Sequence, residues 1–154
     1  MITEEQFKVL LPTACTWAEE QENIIMRYGV PLSAVQTADA IKIGVEHPEK
    51  VRLLKVTRIP LPDYRALCTA ADAMQLISPL TKGITFRYGI FIRADCWGDR
   101  QLVCHELVHT SQYEKLGGLQ QFLQQYLQEC LTIGYPASPM EQEAVTVTAK
   151  LCAS

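Results

Sequence analysis

The first half of the chain carries apolar residues at a spacing typical of amphipathic helices. Such a pattern predicts a helix that begins near Pro12 and ends at Gly29. A second helix is predicted from about Leu32 to Val45, because the His47-Pro48 pair disfavours helical backbone. A short third helix is predicted from about Asp63 to Ile77.

Two segments have the β-branched and aromatic composition of strands. Val51–Thr57 predicts one strand, ended by the two nearby prolines. Gly83–Arg93 predicts another, and Gly89 within it predicts a bend or bulge.

The last third of the chain predicts three further helices. The first has Asp99 as its N-cap, runs to Leu116 and ends at a pair of glycines. The second has an apolar stripe from Leu119 to Leu131, with glutamines on the opposite face. The third begins near Pro139. The order of elements predicts an α+β domain, with a small β-sheet packed against a mainly helical body.

Composition narrows the class of protein. With 154 residues, 48% hydrophobic and 20% charged, the chain is predicted to be one globular domain, with an N-terminal part (1–62) and a C-terminal part (83–154). A net charge of -3 argues against nucleic-acid binding. We expect no membrane span and a cytoplasmic location, because no long apolar run or leader pattern is present. The six scattered cysteines are expected to be reduced thiols.

The strongest chemical signal is His105-Glu-Leu-Val-His109. Residues four apart on a helix share a face at about 6 Å, so both imidazoles can bind one metal ion. Glu106 lies about 100° round the helix, where it can reach a metal-bound water without being a ligand. Zinc lowers the pKa of bound water by roughly nine units, and Glu106 would accept the released proton. One zinc ion per chain is the default expectation, although manganese, iron or nickel also suit such ligands.

A catalytic zinc ion needs a third protein ligand and an open position. His47 lies in an acidic turn and is expected to be a solvated surface residue. Cys104 is also unsuitable, because side chains of adjacent helical residues point about 100° apart, so Cys104 and His105 cannot face the same metal ion. The ligand must therefore come from elsewhere in the chain, since the residues after His109 do not continue the longer motif HExxHxxGxxH.

The motif and the sequence that follows it resemble the zincin metallopeptidases, and among them the gluzincins. The segment His105–Gly118, followed by Gly134-Tyr135 and Pro139–Ala144, is also similar to a group of small bacterial HExxH proteins of undefined role. The resemblance covers about Gly83 to Leu151. It implies a zincin-like fold, peptidase activity, and a glutamate ligand standing directly before alanine on the last helix. That residue is Glu143.

The helical pattern itself leaves two carboxylates open. Glu143 borders the apolar stripe of Met140, Ala144 and Val147, whereas Glu141 lies roughly 200° away on the helix. We therefore prefer Glu143 as the ligand, with Glu141 as the alternative. Glu114 and Glu129 suit solvated faces better.

Four other residues are candidates for supporting roles. Tyr113, four residues after His109, and Tyr135, in the loop before the last helix, can each donate a hydrogen bond to a developing oxyanion. Gln112 can orient His109. Arg93 can hold a substrate carboxylate, and its strand is expected to border the cleft and pair with an extended peptide.

These features predict a zinc-dependent hydrolase, most simply a metallopeptidase acting on a peptide or protein substrate. The alternative is a non-catalytic module that binds metal or peptide in a regulatory or interaction role. A fourth protein ligand, for instance Cys96, would favour the alternative, because structural zinc sites are closed. A third hypothesis is that the chain is a helical scaffold in which the HExxH motif occurs by chance.

Overall fold

The computed structural model describes residues 2–153 and has an α+β fold. Its helices and strands, in chain order, are α1 Glu4–Tyr28, β1 Val30–Pro31, α2 Ala34–Ile43, β2 Arg52–Val56, α3 Arg65–Ala73, β3 Gly83–Phe86, β4 Gly89–Arg93, α4 Arg100–Leu116, α5 Leu119–Thr132 and α6 Pro139–Ala153. Short 3-10 turns precede β2 and follow β4. The predicted α+β class is confirmed, and every predicted helix and the strand β2 are present.

The first helix is longer than its apolar pattern predicts. It begins at Glu4, where Thr3 and Gln6 form a reciprocal capping box, so Pro12 lies inside the helix rather than at its start. The first two turns are retained because Phe7 and Leu11 face apolar residues of α3 and α5. The placement of the start at Pro12 was therefore wrong.

The four strands form a mixed sheet in the order β1-β2-β4-β3. The central pair β2 and β4 is parallel, and the two outer pairs are antiparallel. Alternate side chains of β4 face opposite layers: Phe91 packs with α1, whereas Ile90 and Ile92 pack with α2 and α4. The sheet is therefore covered by helices on both faces, and β3 is left at its edge.

The segment 83–93 is a hairpin, not one bent strand. Phe86 pairs with Gly89 across a two-residue turn, in which Arg87 has a positive φ of 60°. Glu22 of α1 holds this turn, since its carboxylate accepts hydrogen bonds from the Arg87 guanidinium and the Tyr88 backbone N–H. Gly89 allows α1 to pack closely against β4, because a Cβ added at this position would lie 3.0 Å from the Cβ of Ile25.

Within residues 2–153, no helix is both long enough and apolar enough to cross a lipid bilayer. All six cysteines are free thiols. Cys104, one of the two that are buried, lies in α4 with its thiol 3.5 Å from the Asp39 carboxylate, which is also held by Arg100. This cluster joins α2 to α4 on the face of α4 next to His105.

Candidate metal centre

The helix α4 carries the two histidines of the motif and is fixed at both ends. Asp99 accepts a hydrogen bond from the Leu102 N–H at the start, and Gly117 ends the helix in the left-handed conformation. Both ends agree with the sequence prediction. The middle of the helix, from Val103 to Tyr113, is almost wholly buried, which is unusual for a segment containing so many polar residues.

The imidazoles of His105 and His109 converge on one carboxylate. His105 Nε2 lies 3.0 Å from Glu141 Oε1, and His109 Nε2 lies 2.9 Å from Glu141 Oε2. One ligand atom from each of the three residues lies within 4.8 Å of the other two, a spacing that can hold a metal ion. Ligands of a tetrahedral zinc ion at about 2.1 Å lie roughly 3.4 Å apart, so only small movements are needed.

Glu141 reaches this position because the start of α6 is held by α5. Glu129 Oε1 accepts a hydrogen bond from the Met140 N–H, which satisfies an open donor in the first turn of α6. The hydroxyl of Tyr126 donates to Glu141 Oε2 at 2.7 Å. The partial positive charge of the helix N-terminus also favours a carboxylate there.

The preference for Glu143 over Glu141 is reversed by the structure. Glu141 is 5% exposed and touches both imidazoles, whereas Glu143 is exposed and accepts a hydrogen bond from Gln112 Nε2. The buried face of α6 comprises Met140, Glu141, Ala144 and Thr148. Met140 and Ala144 of the predicted apolar stripe do lie on this face, but the polar residues Glu141 and Thr148 share it, so the stripe alone did not identify the buried carboxylate.

Gln112 orients His109, as the sequence predicts. Its Oε1 lies 2.8 Å from His109 Nδ1, while its Nε2 donates to the Met140 carbonyl and to Glu143. Because the two partners of Nε2 are acceptors, Oε1 must face the ring and accept from Nδ1–H. His109 Nε2 is thereby turned towards Glu141 as the nitrogen that can bind a metal.

Gln112→Ala is expected to lower zinc affinity by about 10- to 100-fold, because the His109 ring loses the acceptor that fixes its orientation. Competition with a chromophoric chelator measures the change. The control is Gln101→Ala, an exposed glutamine of the same helix, which should leave the affinity unchanged. Equal affinities of the two variants would show that Gln112 does not orient a ligand.

Glu106 lies beside the convergent atoms without joining them. It is 5% exposed, and its Oε1 accepts a hydrogen bond from the Thr85 hydroxyl at 2.7 Å. Gly83 allows β3 to approach it closely, since an added Cβ would lie 3.3 Å from Glu106 Cγ. The edge strand therefore fixes the carboxylate that the motif predicts as a general base.

The electrostatics of the site favour a cation. Burial alone would raise the pKa of Glu141, but the hydrogen bonds from His105 and His109 outweigh it and hold the pKa well below its usual range. Burial alone would lower the pKa of His109, but Glu141 and the charge of Glu106 raise it to about 9. A proton on His109 offsets part of the negative charge of Glu141 and Glu106, and a bound metal ion would take over that role.

A cavity opens beside these groups. It has a volume of about 140 Å³, and its wall includes His105, His109, Glu106 and Glu141. The four residues of β3 also line it, which agrees with the expectation that this part of the sheet borders a cleft. Among the described residues of the wall, none is lysine or arginine. The two histidines are therefore the basic side chains of the wall beside these carboxylates, among the residues that the structure describes.

The two tyrosines predicted as oxyanion donors differ in position. Tyr113 is 1% exposed, stacks on Phe122 and donates its hydroxyl to the Thr85 carbonyl, so it anchors β3 to α4 and its donor is engaged. Tyr135 is 38% exposed and lines the cavity. Burial and the charges of Glu141 and Glu106 raise its pKa to about 12, so its hydroxyl stays protonated at neutral pH. A catalytic role for Tyr135 stays a prediction.

Arg93 does not reach the site in the structure. Its guanidinium forms a bidentate ion pair with Asp95, with contacts of 2.6 and 3.0 Å, and it does not line the cavity. Its guanidinium is engaged by Asp95 and, through Nη1 at 3.4 Å, by the Pro79 carbonyl, so the predicted role in binding a substrate carboxylate is not supported.

The other candidates lie outside the centre. His47 is half-exposed and pairs with Glu49 at 3.5 Å, in agreement with its predicted surface position. Glu114 is not a free surface carboxylate, because it accepts hydrogen bonds from the backbone N–H groups of Glu46 and His47. Cys96 Sγ lies 3.6 Å from Asp95 and is not part of the convergent group.

Tyr126 is a site residue that the sequence did not reveal. Its position in the apolar stripe of α5 predicts core packing, and its ring does stack against that of Phe122. The hydroxyl group was the available sign of a role at the site, because a buried tyrosine needs a hydrogen-bond partner for its polar end. That partner is Glu141.

Comparison with models of known protein families, with curated proteins and with solved structures returned no match for this chain. A donor set of two imidazoles and one carboxylate would suit zinc, and a metal ion held by these three residues would have a fourth position open.

Proposed function

We propose that this chain is a zinc-dependent hydrolase of the zincin type that cleaves peptide bonds. His105, His109 and Glu141 would hold one zinc ion, and Glu106 would act as general base. The observation that carries the proposal is the convergence of the three ligand atoms within 4.8 Å, on the wall of a cavity that Glu106 also lines.

Catalysis is favoured over a closed structural site by the number of ligands. Within residues 2–153 the convergent group has three members, and Cys96, which could have closed the site as a fourth ligand, instead contacts Asp95. A catalytic zinc site keeps one position for water or substrate, whereas a structural site is completed by protein. A partly open wall, with His105 24% and Tyr135 38% exposed, is also consistent with access.

The bound zinc ion would supply Lewis acidity, polarising the scissile carbonyl and making water acidic near neutral pH. Glu106, held by the Thr85 hydroxyl, would accept the proton of the attacking water and later deliver it to the leaving amine. Gln112 and Tyr126 would keep His109 and Glu141 in place. The hydroxyl of Tyr135 would be available to donate to the developing oxyanion.

A peptide is the substrate that the edge strand suits best. β3 lies at the edge of the sheet and lines the cavity, so an extended backbone can align beside it. The Thr85 carbonyl already accepts the Tyr113 hydroxyl, so pairing is expected towards the Gly83 end of the strand.

The proposal is tested on untagged protein purified without added metal. We expect about one zinc ion per chain by mass spectrometry, cleavage of a denatured protein substrate, loss of cleavage after chelation, and recovery with stoichiometric zinc. The melting temperature should rise when zinc is restored, because an ion that binds only the folded chain stabilises it. A chain with no metal and no thermal response to zinc would contradict the proposal.

A further inference from the structure

The cavity at the candidate metal centre has a pronounced apolar character. Beyond the polar groups at the centre, its wall is formed mainly by large apolar side chains, among them Trp17, Leu67, Ile77, Phe86, Leu123 and Leu127. They come from α1, α3, the α3–β3 loop, β3 and α5. Hydrolysis alone does not require such a wall.

Charged groups are confined to one part of this wall. Among the described lining residues, the carboxylates are Glu106 and Glu141, and the basic groups are the two histidines of the centre. A charged substrate group placed among the apolar side chains would lose its hydration without gaining a partner. The apolar part of the cavity therefore selects against charged groups.

The size of the cavity limits what it can accept. Its volume is about 140 Å³. An apolar cavity of roughly 150 Å³ accommodates one benzene molecule. A guest group of about that size therefore suits this cavity.

We infer that the substrate carries one uncharged aromatic or branched aliphatic group, no larger than about a phenyl ring, beside the bond that is cleaved. This inference rests on the proposed function and names its substrate class. A phenylalanine or leucine side chain meets the requirement, whereas lysine and aspartate do not.

Small residues in the wall provide a test of this size limit. Ala71 of α3 lines the cavity, whereas its neighbour Ala70 is equally buried but does not. Ala71→Leu should reduce the cavity volume, and Ala70→Leu is the matched control. Leu123→Phe is a second filling variant at a half-buried position, where a larger side chain is easier to accommodate.

Three hydroxamates with the same metal-binding group isolate the effect of the side arm. They are acetohydroxamic acid, 3-phenylpropanohydroxamic acid and 6-aminohexanohydroxamic acid, each titrated calorimetrically into zinc-loaded protein. Burying the phenyl group should strengthen binding about 10- to 100-fold over the acetyl compound, whereas the ammonium arm should give no gain. Ala71→Leu and Leu123→Phe should abolish most of the phenyl advantage, and Ala70→Leu should retain it.

A second arm separates this inference from the proposed function. Toluene is titrated into chelator-treated protein, and the methyl resonances of Leu67, Ile77 and Leu123 are followed. Saturable shifts that disappear in Ala71→Leu would support the apolar site even if zinc does not bind, in which case the hydrolase proposal alone fails. Absence of shifts, or equal affinities for the phenyl and ammonium hydroxamates, would overturn the inference.

Discussion

Glu141→Gln is expected to lower zinc affinity by about two to three orders of magnitude, whereas Glu143→Gln should lower it about tenfold or less. Glu141 is the carboxylate that touches both imidazoles, and its replacement by an amide removes a charged ligand atom. Apparent zinc binding free energies are roughly 10–16 kcal/mol and are shared among the ligands. The loss of one ligand is therefore expected to lower the affinity by the two to three orders of magnitude given for Glu141→Gln.

Glu143 is the matched control because it is two residues away on the same helix and also contacts the network. Its carboxylate reaches the site only through Gln112, whose amide it helps to hold. The Met140 carbonyl accepts from the same amide nitrogen, so the ring of His109 keeps its orientation when Glu143 is changed. Chelator competition at fixed pH compares the two variants, and a larger loss in Glu143→Gln would restore the ligand that the sequence favoured.

Glu106→Gln is expected to retain zinc while kcat/KM for peptide cleavage falls by about 10²- to 10⁴-fold. The amide is nearly the same size and can still accept from the Thr85 hydroxyl, but it cannot accept a proton from water. Zinc affinity should change little, because the Glu106 carboxylate is not among the three convergent ligands.

The activity measurement has an internal safeguard. A contaminating peptidase would cleave equally in the parent and Glu106→Gln preparations, so only a difference between them reports on this site. Glu114→Gln serves as the control, since that carboxylate lies on the same helix but holds the 46–47 backbone outside the cavity. Parental cleavage by Glu106→Gln, with zinc bound, would exclude Glu106 as the general base.

The local signals in the sequence predicted α4 well. An aspartate N-cap and a glycine C-cap act through contacts within a few residues, so Asp99 and Gly117 could be assigned without knowing the fold. The motif residues follow from the same helix, since their spacing alone places both imidazoles on one face. Gln112, three residues after His109, was found for this reason.

The third residue of the candidate metal centre could not be assigned from the local sequence pattern, because the buried face of α6 contains polar residues. An apolar stripe identifies a buried face only where burial is driven by hydrophobicity, and functional sites break that rule. Glu141 is buried because His105, His109 and Tyr126 provide hydrogen bonds from two other helices. None of these contacts is visible in the sequence of α6.

The hairpin of β3 and β4 was missed for a related reason. Gly89 was taken as a bend within one strand, whereas it is the first residue of β4 and permits contact with Ile25 of α1. The residue at positive φ in this turn is Arg87, whereas such turns usually have glycine or asparagine there. The sequence therefore lacks the usual signal of a hairpin turn. The stability of this turn depends on the distant Glu22, a tertiary contact.

The most direct test of the metal centre is a crystal of untagged, zinc-supplemented protein measured on both sides of the zinc absorption edge. The account predicts one anomalous peak per chain, present only above the edge, at about 2.0–2.2 Å from His105 Nε2, His109 Nε2 and a carboxylate oxygen of Glu141. A peak held by other residues, or imidazoles that remain bonded to Glu141 with no peak between them, would contradict it.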